Sequence, residues 1–92
     1  MASGAKSADD IVETVRRVLA DVLTLSPATV AALRPGTALF GSMPELDSMA
    51  VVGLLTELED RLGIVIDDDD VDADLFATFG SLVAFAQAKV AV

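Results

Sequence analysis

Apolar residues near the start of the chain recur at intervals of three and four positions. The set consists of Ile11, Val15, Val18 and Val22. This repeat is that of one face of an α-helix. The Ser-Ala-Asp-Asp sequence before it offers a capping residue and then acids, which suit the positive end of a helix dipole. The pattern therefore predicts a helix over about residues 8–23.

A second apolar repeat lies in the middle of the chain and consists of Val51, Leu54, Leu55, Leu58 and Leu62. Asp47 is of a type favoured immediately before a helix, and Gly63 is of a type favoured immediately after one. The pattern predicts a helix from about residue 48 to residue 62. Ser48 then lies in or beside its first turn.

Shorter signals complete the fold class. Ser26-Pro27 resembles a cap followed by proline at the first helical position, which predicts a short turn of helix over 27–32. A last apolar stripe predicts a helix over about 78–90. The apolar residues that follow a run of aspartates at 67–70 are expected to form a further short helix; they are Val71, Leu75 and Phe76. We therefore predict an all-α protein, a small antiparallel bundle of three longer helices plus one or two short ones.

A long connection, about residues 35–47, separates the first and second halves of this pattern. It contains two prolines and two glycines. Its apolar residues indicate that it packs onto the body, and a connection of this length is often functional; these residues are Leu39, Phe40 and Leu46. Residues 1–6 are small and polar and are expected to be flexible, and residues 7–92 are expected to form a single domain.

The composition narrows the possible functions. Ninety-two residues suffice for one small core, and no apolar run approaches the roughly 20 residues that cross a bilayer. No secretory signal is visible, so a cytoplasmic location is expected. The chain has no Cys and no His. That excludes disulfides, thiol nucleophiles, thiolate or His-ligated metal sites, and activation of a serine by histidine.

The charge narrows the possible partners. Fifteen acids against six bases give a net charge of −9. Such a chain repels nucleic acid and anionic membrane surfaces, and is steered towards proteins with basic patches. We expect a monomer that binds no nucleic acid, does not insert into membranes, and is acted upon by other proteins rather than being an enzyme.

Ser48 is the most informative candidate residue. A serine at a helix start is usually only a cap, but here Asp47 can serve as the cap and leave the Ser48 hydroxyl exposed and free. A phosphate attached to that hydroxyl would meet free N–H groups at the positive end of the helix dipole. The nearby positions Met49, Ala50 and Gly53 are expected to face outwards and carry no charge, which suits docking. The sequence thus indicates an attachment point for a phosphodiester-linked prosthetic group.

The aspartate run permits a calcium interpretation that the spacing does not support. Asp68, Asp70 and Asp72 fall at positions one, three and five of an EF-hand-like loop. Ala73 then stands where glycine is needed, and Phe79 stands where a bidentate glutamate is needed. A solvated acidic turn without a metal ion is the preferred interpretation.

Asp47-Ser48-Met49, opening a helix after a long packed loop, resembles the Asp-Ser-Leu signature of the acyl carrier proteins. The likeness covers nearly the whole chain: the first helix, the Pro/Gly connection, Leu54-Leu55 and Leu58-Glu59, the Ile64-x-Ile66 step, the acidic turn and the final helix. The sequence from Glu45 to Met49 and the aspartate run are most similar to those of free-standing carriers associated with exosortase and exopolysaccharide gene sets.

The resemblance implies that Ser48 carries 4′-phosphopantetheine, added from coenzyme A by a phosphopantetheinyl transferase, with Asp47 as the motif acid. Acyl groups would be held as thioesters on the arm and presented to an acyl-loading synthetase, a condensing enzyme or an acyltransferase. Partners would contact the helix that Ser48 opens, at Met49, Ala50, Gly53, Glu57 and Asp60. An acyl cavity would be bordered by Leu55, Leu58 and Leu62, with about 0.8 kcal/mol gained per buried methylene.

Departures from the family pattern leave alternatives open. Pro44-Glu45-Leu46 stands where the family usually has Leu-Gly-x, and Ala50 and Gly53 stand where carriers of general fatty acid synthesis have acids. Dedicated partners in a specialised pathway are therefore expected. Peptidyl carriers, which often have Gly-Gly-x-Ser-Leu, fit less well. The alternative function is a helical interaction module that uses the Met49, Ala50 and Gly53 patch without a prosthetic group; a calcium buffer is a more distant one.

Overall fold

The computed structural model describes residues 8–39, 47–72 and 74–91. Within these ranges the protein is helical, and its one β-type pairing is an isolated bridge between Ala38 and Thr78. The helices are α1 (Ala8–Leu23), α2 (Pro27–Ala31), α3 (Ser48–Leu62) and α4 (Phe79–Ala91), with one turn of 3₁₀ helix over Asp68–Asp70. The predicted all-α class, with three longer helices and short ones between them, is confirmed.

Helix α1 is the central element, because α2, α3 and α4 all pack against it. Three members of its predicted apolar stripe are buried, Ile11, Val15 and Val18, together with Leu19 and Leu23, whereas the fourth, Val22, is half-buried. The helix ends at Leu23, and the next residue, Thr24, has a left-handed φ of 54°, which is strained for a β-branched residue. Burial of one continuous stripe fixes which face of α1 the other helices share.

The two helices that follow are delimited by local chemistry. Ser26 caps α2 by accepting the Thr29 N–H, and Pro27 occupies the first helical position. Gly63 ends α3 with a left-handed φ of 65°, and its N–H is bonded to the Glu59 carbonyl. Both boundaries agree with the sequence.

The segment after α3 differs from the prediction in detail. The helical turn falls on the aspartates Asp68–Asp70 themselves, ahead of Val71, and residues 74–77 form turns instead of a helix. Leu75 and Phe76 are nevertheless buried. The turns arise because the Asp72 carboxylate accepts the Leu75 N–H at 3.0 Å, which stabilises a turn in place of helical bonds. Residue 73 lies outside the described ranges.

The described part of the long connection packs onto the start of α4, as predicted. Leu39 is fully buried and its N–H donates to the Ala77 carbonyl at 3.1 Å. The Gly80 N–H donates to the Pro35 carbonyl at 2.8 Å. A Cβ at position 80 would lie 2.7 Å from that oxygen, so only glycine permits the approach. Phe40 and Leu46 lie outside the described residues, as do residues 1–6.

The core contains residues from the three longer helices and from the segments that connect them. Its other buried members are Leu33, Leu54, Leu58, Leu62, Phe79, Leu82, Val83 and Ala86. Within the described ranges, no helix has the length and apolar character that crossing a bilayer requires. The single domain over 7–92 and the cytoplasmic location stay predictions.

Candidate functional site

The start of α3 is organised by Asp47. This residue has extended backbone angles (φ −112°, ψ −176°), and its carboxylate accepts the Ala50 N–H at 2.9 Å. Its carbonyl accepts the first intrahelical bond, from the Val51 N–H at 2.9 Å. Asp47 is therefore the N-cap, as the sequence predicted, and Ser48 is the first residue of the helix proper.

Ser48 is placed by its backbone at the N-terminal end of a 15-residue helix. Its side chain is outside the described part of the structure, so the predicted exposure of the hydroxyl stays a prediction. The first turn of α3 contains no acid, whereas the first turn of α1 contains Asp9 and Asp10. Because the N–H groups of a first turn lack intrahelical acceptors, this end of α3 can receive an anion without repulsion from acids within its first turn.

Ser26 provides an internal comparison, since it also stands at a helix start. Its Oγ accepts the Thr29 N–H at 3.2 Å and lies 2.9 Å from the Thr29 Oγ1. The Ser26 hydroxyl is thus used as the cap of α2. At α3 the same task falls to the Asp47 carboxylate.

Next to Ser48, α3 presents an apolar surface. Met49 is 81% exposed and Val52, three residues later, is 62% exposed. Residues three apart lie on one helix face, so the two side chains are neighbours. Thr56 continues the same exposed row. Met49 was predicted to face outwards, but Val52 was missed; its signal was the three-residue spacing from Met49.

The prediction that Gly53 faces outwards is wrong. A Cβ at this position would lie 3.2 Å from Val22 Cγ1, so Gly53 faces α1. Ala50 is half-buried and packs against the core. The outward surface therefore consists of Met49 and Val52, with Ala50 at its edge, instead of Met49, Ala50 and Gly53.

The two acids expected to contact partners differ in their freedom. Glu57 is half-buried and accepts a bond from Arg61 Nε at 2.9 Å. Arg61 also donates to Asp21 of α1 at 2.8 Å, so Glu57 belongs to an ionic link between α3 and α1. Both hydrogen bonds, that to Asp21 first, raise the pKa of Arg61. Asp60 is exposed.

The three leucines expected around a cargo cavity belong to the core or its edge. Leu58 is fully buried, Leu62 is 8% exposed and Leu55 is half-buried against the core. Helices α3 and α4 both pack on α1. The residues after α3 supply buried apolar side chains to the same core, among them Leu75 and Phe76.

The acidic turn is tied to α4. Lys89 Nζ donates to Asp70 Oδ2 at 2.9 Å, and the Asp67 N–H donates to the same oxygen at 3.0 Å. These bonds, Lys89 first, lower the pKa of Asp70, and the bond to Asp70 raises the pKa of Lys89. In the described part of the chain no three acidic side chains form a group that could hold a metal ion. The side chain of Asp68 lies outside that part.

Comparison with known proteins agrees with this arrangement. The family described as phosphopantetheine attachment site matches residues 13–86. Among solved structures, the chain is similar to the holo acyl carrier protein of Nitrosomonas europaea, determined by NMR in solution. The two are 42% identical with a TM-score of 0.80, over 88% of this chain and 96% of that one. No curated protein matches the sequence.

Proposed function

Because this chain belongs to the acyl carrier protein family, whose members carry covalently bound 4′-phosphopantetheine and are not catalysts, we propose that Ser48 is the residue that bears the arm. The observation that supports this assignment is the arrangement of Asp47 and Ser48 at the start of α3. Asp47 caps the helix through its own carboxylate, and Ser48 follows it as the first residue of the helix.

The residues at this end of α3 fit a phosphodiester. A serine supplies the hydroxyl for the ester bond, and the helix N-terminus supplies N–H groups and a positive dipole end for the phosphate. The first turn of α3 contains no acid, and the Asp47 carboxylate before it is already bonded to the Ala50 N–H, so the other first-turn N–H groups are left for the phosphate. When bound, the group supplies a terminal thiol for thioesters, which a chain without Cys cannot provide itself. Asp47 then fixes the first turn and so the position of Ser48.

We assign partner contact to the surface formed by Met49 and Val52, with Asp60 on the same side of α3. Exposed apolar side chains beside an attachment point offer desolvation energy to an enzyme that approaches the arm. The partners of this proposal are a phosphopantetheinyl transferase and an acyl-loading synthetase, condensing enzyme or acyltransferase. Glu57 would contribute less, since Arg61 already holds it.

We further propose that the cargo belongs to a specialised pathway, such as lipid or exopolysaccharide synthesis. Support comes from Ala50, an uncharged residue where carriers of general fatty acid synthesis have an acid. Ala50→Glu should raise turnover by general fatty acid synthesis enzymes. Glutamate is favourable at this third helical position, and because Ala50 is half-buried against the core, denaturant unfolding of the variant is measured alongside its turnover. Unchanged turnover would refute the role of position 50. Gly53→Glu is unsuitable for this test, since the added side chain would clash with Val22.

A carried acyl chain would be sheltered near Leu55, Leu58 and Leu62, where α3 meets the following segment. The buried side chains that the following segment adds to the same core, Leu75 and Phe76, support this location. Leu55→Asp should speed hydrolysis of a loaded thioester, with Asp60→Asn as the control on the exposed side. Equal hydrolysis rates in both variants would place the chain elsewhere.

Intact-mass analysis after incubation with coenzyme A, Mg²⁺ and a broad-specificity transferase tests the attachment. The wild type and Ser26→Ala should each gain one phosphopantetheine, and Ser48→Ala should gain none. If Ser48→Ala retains biological function while Ala50→Glu loses it, the interaction-module alternative is correct. An unmodified wild type would contradict the proposal.

A further inference from the structure

A groove of about 230 Å³ lies between α1 and α4, apart from the start of α3. Its lining is almost entirely apolar and includes Val12, Arg16, Pro35, Phe79, Val83 and Gln87. No residue of α3 contributes to it. Gly80 forms part of the wall, where it contacts the Pro35 backbone. The groove is therefore a feature separate from Ser48 and its apolar surface.

One end of the groove carries a fixed positive charge. The Arg16 guanidinium lies over the Phe79 ring, 5.2 Å from its centroid. Its Nη1 donates to the Val30 carbonyl at 2.8 Å and to the Leu33 carbonyl at 3.3 Å. Glu13 approaches Nε at 3.5 Å and neutralises part of this charge. Because these contacts already fix the Arg16 side chain, its remaining guanidinium N–H groups can bind a ligand without a further loss of side-chain entropy.

A second guanidinium stands beside it. Arg34 Nη1 donates to the Ala31 carbonyl at 3.3 Å and to the Leu33 carbonyl at 3.4 Å, so Arg34 and Arg16 share one acceptor. Arg34 directly precedes Pro35, which lines the groove. Within the described ranges no carboxylate pairs with Arg34.

The neighbouring guanidinium groups of Arg16 and Arg34 distinguish the groove from the rest of the charged surface. In the described part of the chain Arg61 is paired with Asp21 and Glu57, and Lys89 is paired with Asp70, whereas Arg34 and Arg17 form no salt bridge; Arg17 does not line the groove. The Arg34 guanidinium, which shares the Leu33 carbonyl with that of Arg16, thus places positive charge beside an apolar groove. Such a pattern is complementary to an apolar group with a carboxylate beside it.

We infer that this groove binds an acidic amphipathic segment of another protein, which inserts one apolar side chain between α1 and α4 and places an adjacent carboxylate on Arg34 and Arg16. The volume suits one large or two small side chains. Because α3 is not involved, a protein bound here leaves Ser48 and the Met49–Val52 surface accessible, and the inference does not depend on the attachment.

The test uses ¹⁵N-labelled full chain and short synthetic helical peptides that present a Leu flanked by Glu. The peptide should cause saturable shifts at the Gln87 side-chain amide, the Arg16 Nε–H and the Val83 amide. A matched peptide with Lys in place of Glu should bind at least tenfold more weakly. Equal binding of the two peptides, or shifts confined to α3, would overturn the inference.

Variants of the protein sharpen the test. Ala84→Glu places a carboxylate in the groove and should abolish binding, whereas Ala88→Glu, one turn further along α4 and outside the groove lining, should not. Arg34→Ala should weaken binding severalfold and Arg17→Ala should not. If decanoate shifts the same resonances and the peptide does not, the groove binds a fatty acid and the inference is wrong. If dilution of the protein dissociates a dimer and the peptide effect is lost with it, the groove is an interface between two copies of this chain, and the inference is again wrong.

Discussion

The carboxylate of Asp47 accepts the Ala50 N–H at 2.9 Å and thereby fixes the first turn of α3. Asp47→Ala should reduce the free energy of unfolding by about 1 kcal/mol, since one N-cap bond is lost. Thermal or denaturant unfolding measures the change. Asp47→Asn is the matched control, because asparagine caps equally well without charge and should stay near wild type. A stability of Asp47→Ala equal to that of wild type would show that the cap is not needed.

The close packing of Gly53 on Val22 gives a second prediction. Gly53→Leu should reduce stability by about 1–3 kcal/mol, because the added atoms have no room between α3 and α1. In a Val22→Ala background, Gly53→Ala should instead stabilise by about 0.5–1 kcal/mol through its better helix propensity. Denaturant unfolding of wild type, Gly53→Leu, Val22→Ala and the double variant Val22→Ala/Gly53→Ala checks both predictions. Tolerance of leucine would mean that position 53 faces solvent after all.

The Gly80–Pro35 contact gives a third. Gly80→Ala should reduce stability by about 1–3 kcal/mol, because its Cβ would lie 2.7 Å from a backbone oxygen that cannot rotate away. Gly36→Ala is the control: a Cβ there meets nothing within 4 Å and should cost little. Equal unfolding midpoints for the two variants would contradict the described approach of the connection to α4.

The Asp70–Lys89 pair should make stability depend on pH in acid. The folded pKa of Asp70 lies below its ordinary value of about 3.9, so the contribution is present above that pH and is lost as pH falls through the folded pKa. The raised pKa of Lys89 means that its contribution is complete below about pH 10.4 and is lost as pH rises through the folded value. Between these limits the link should persist.

Denaturant unfolding of wild type and Asp70→Asn at a series of pH values measures this dependence. The difference between them should be largest near neutral pH and shrink below about pH 4, where the wild-type carboxylate becomes protonated. Lys89→Met should abolish most of the same difference. A gap that is constant down to pH 2 would show that the Asp70 charge is irrelevant.

The helices and the cap were predictable because their signals are local. The repeat of Ile11, Val15 and Val18 requires only one helix to be recognised, and Asp47 acts on a neighbour three residues away. The orientation of Gly53 could not be predicted in this way. A small residue is compatible with exposure and with close helix packing, and which one holds depends on where α1 crosses α3.

The same reason explains the groove and the acidic turn. Arg16 and Arg34 are 18 positions apart, and their meeting at the Leu33 carbonyl depends on how α2 returns along α1. The turn after α3 depends on whether Asp72 bonds a nearby N–H or leaves it to a helix. Such competitions are decided by tertiary contacts, which a periodic pattern does not contain.

The most direct test is to locate the modified residue after transferase treatment of the wild type. Trypsin should release residues 18–61 as one fragment, because Arg34 precedes proline, and this fragment contains three serines, at positions 26, 42 and 48. Fragmentation by tandem mass spectrometry should place the phosphopantetheine on Ser48 alone. Modification of Ser26 or Ser42, or of no serine, would contradict the account.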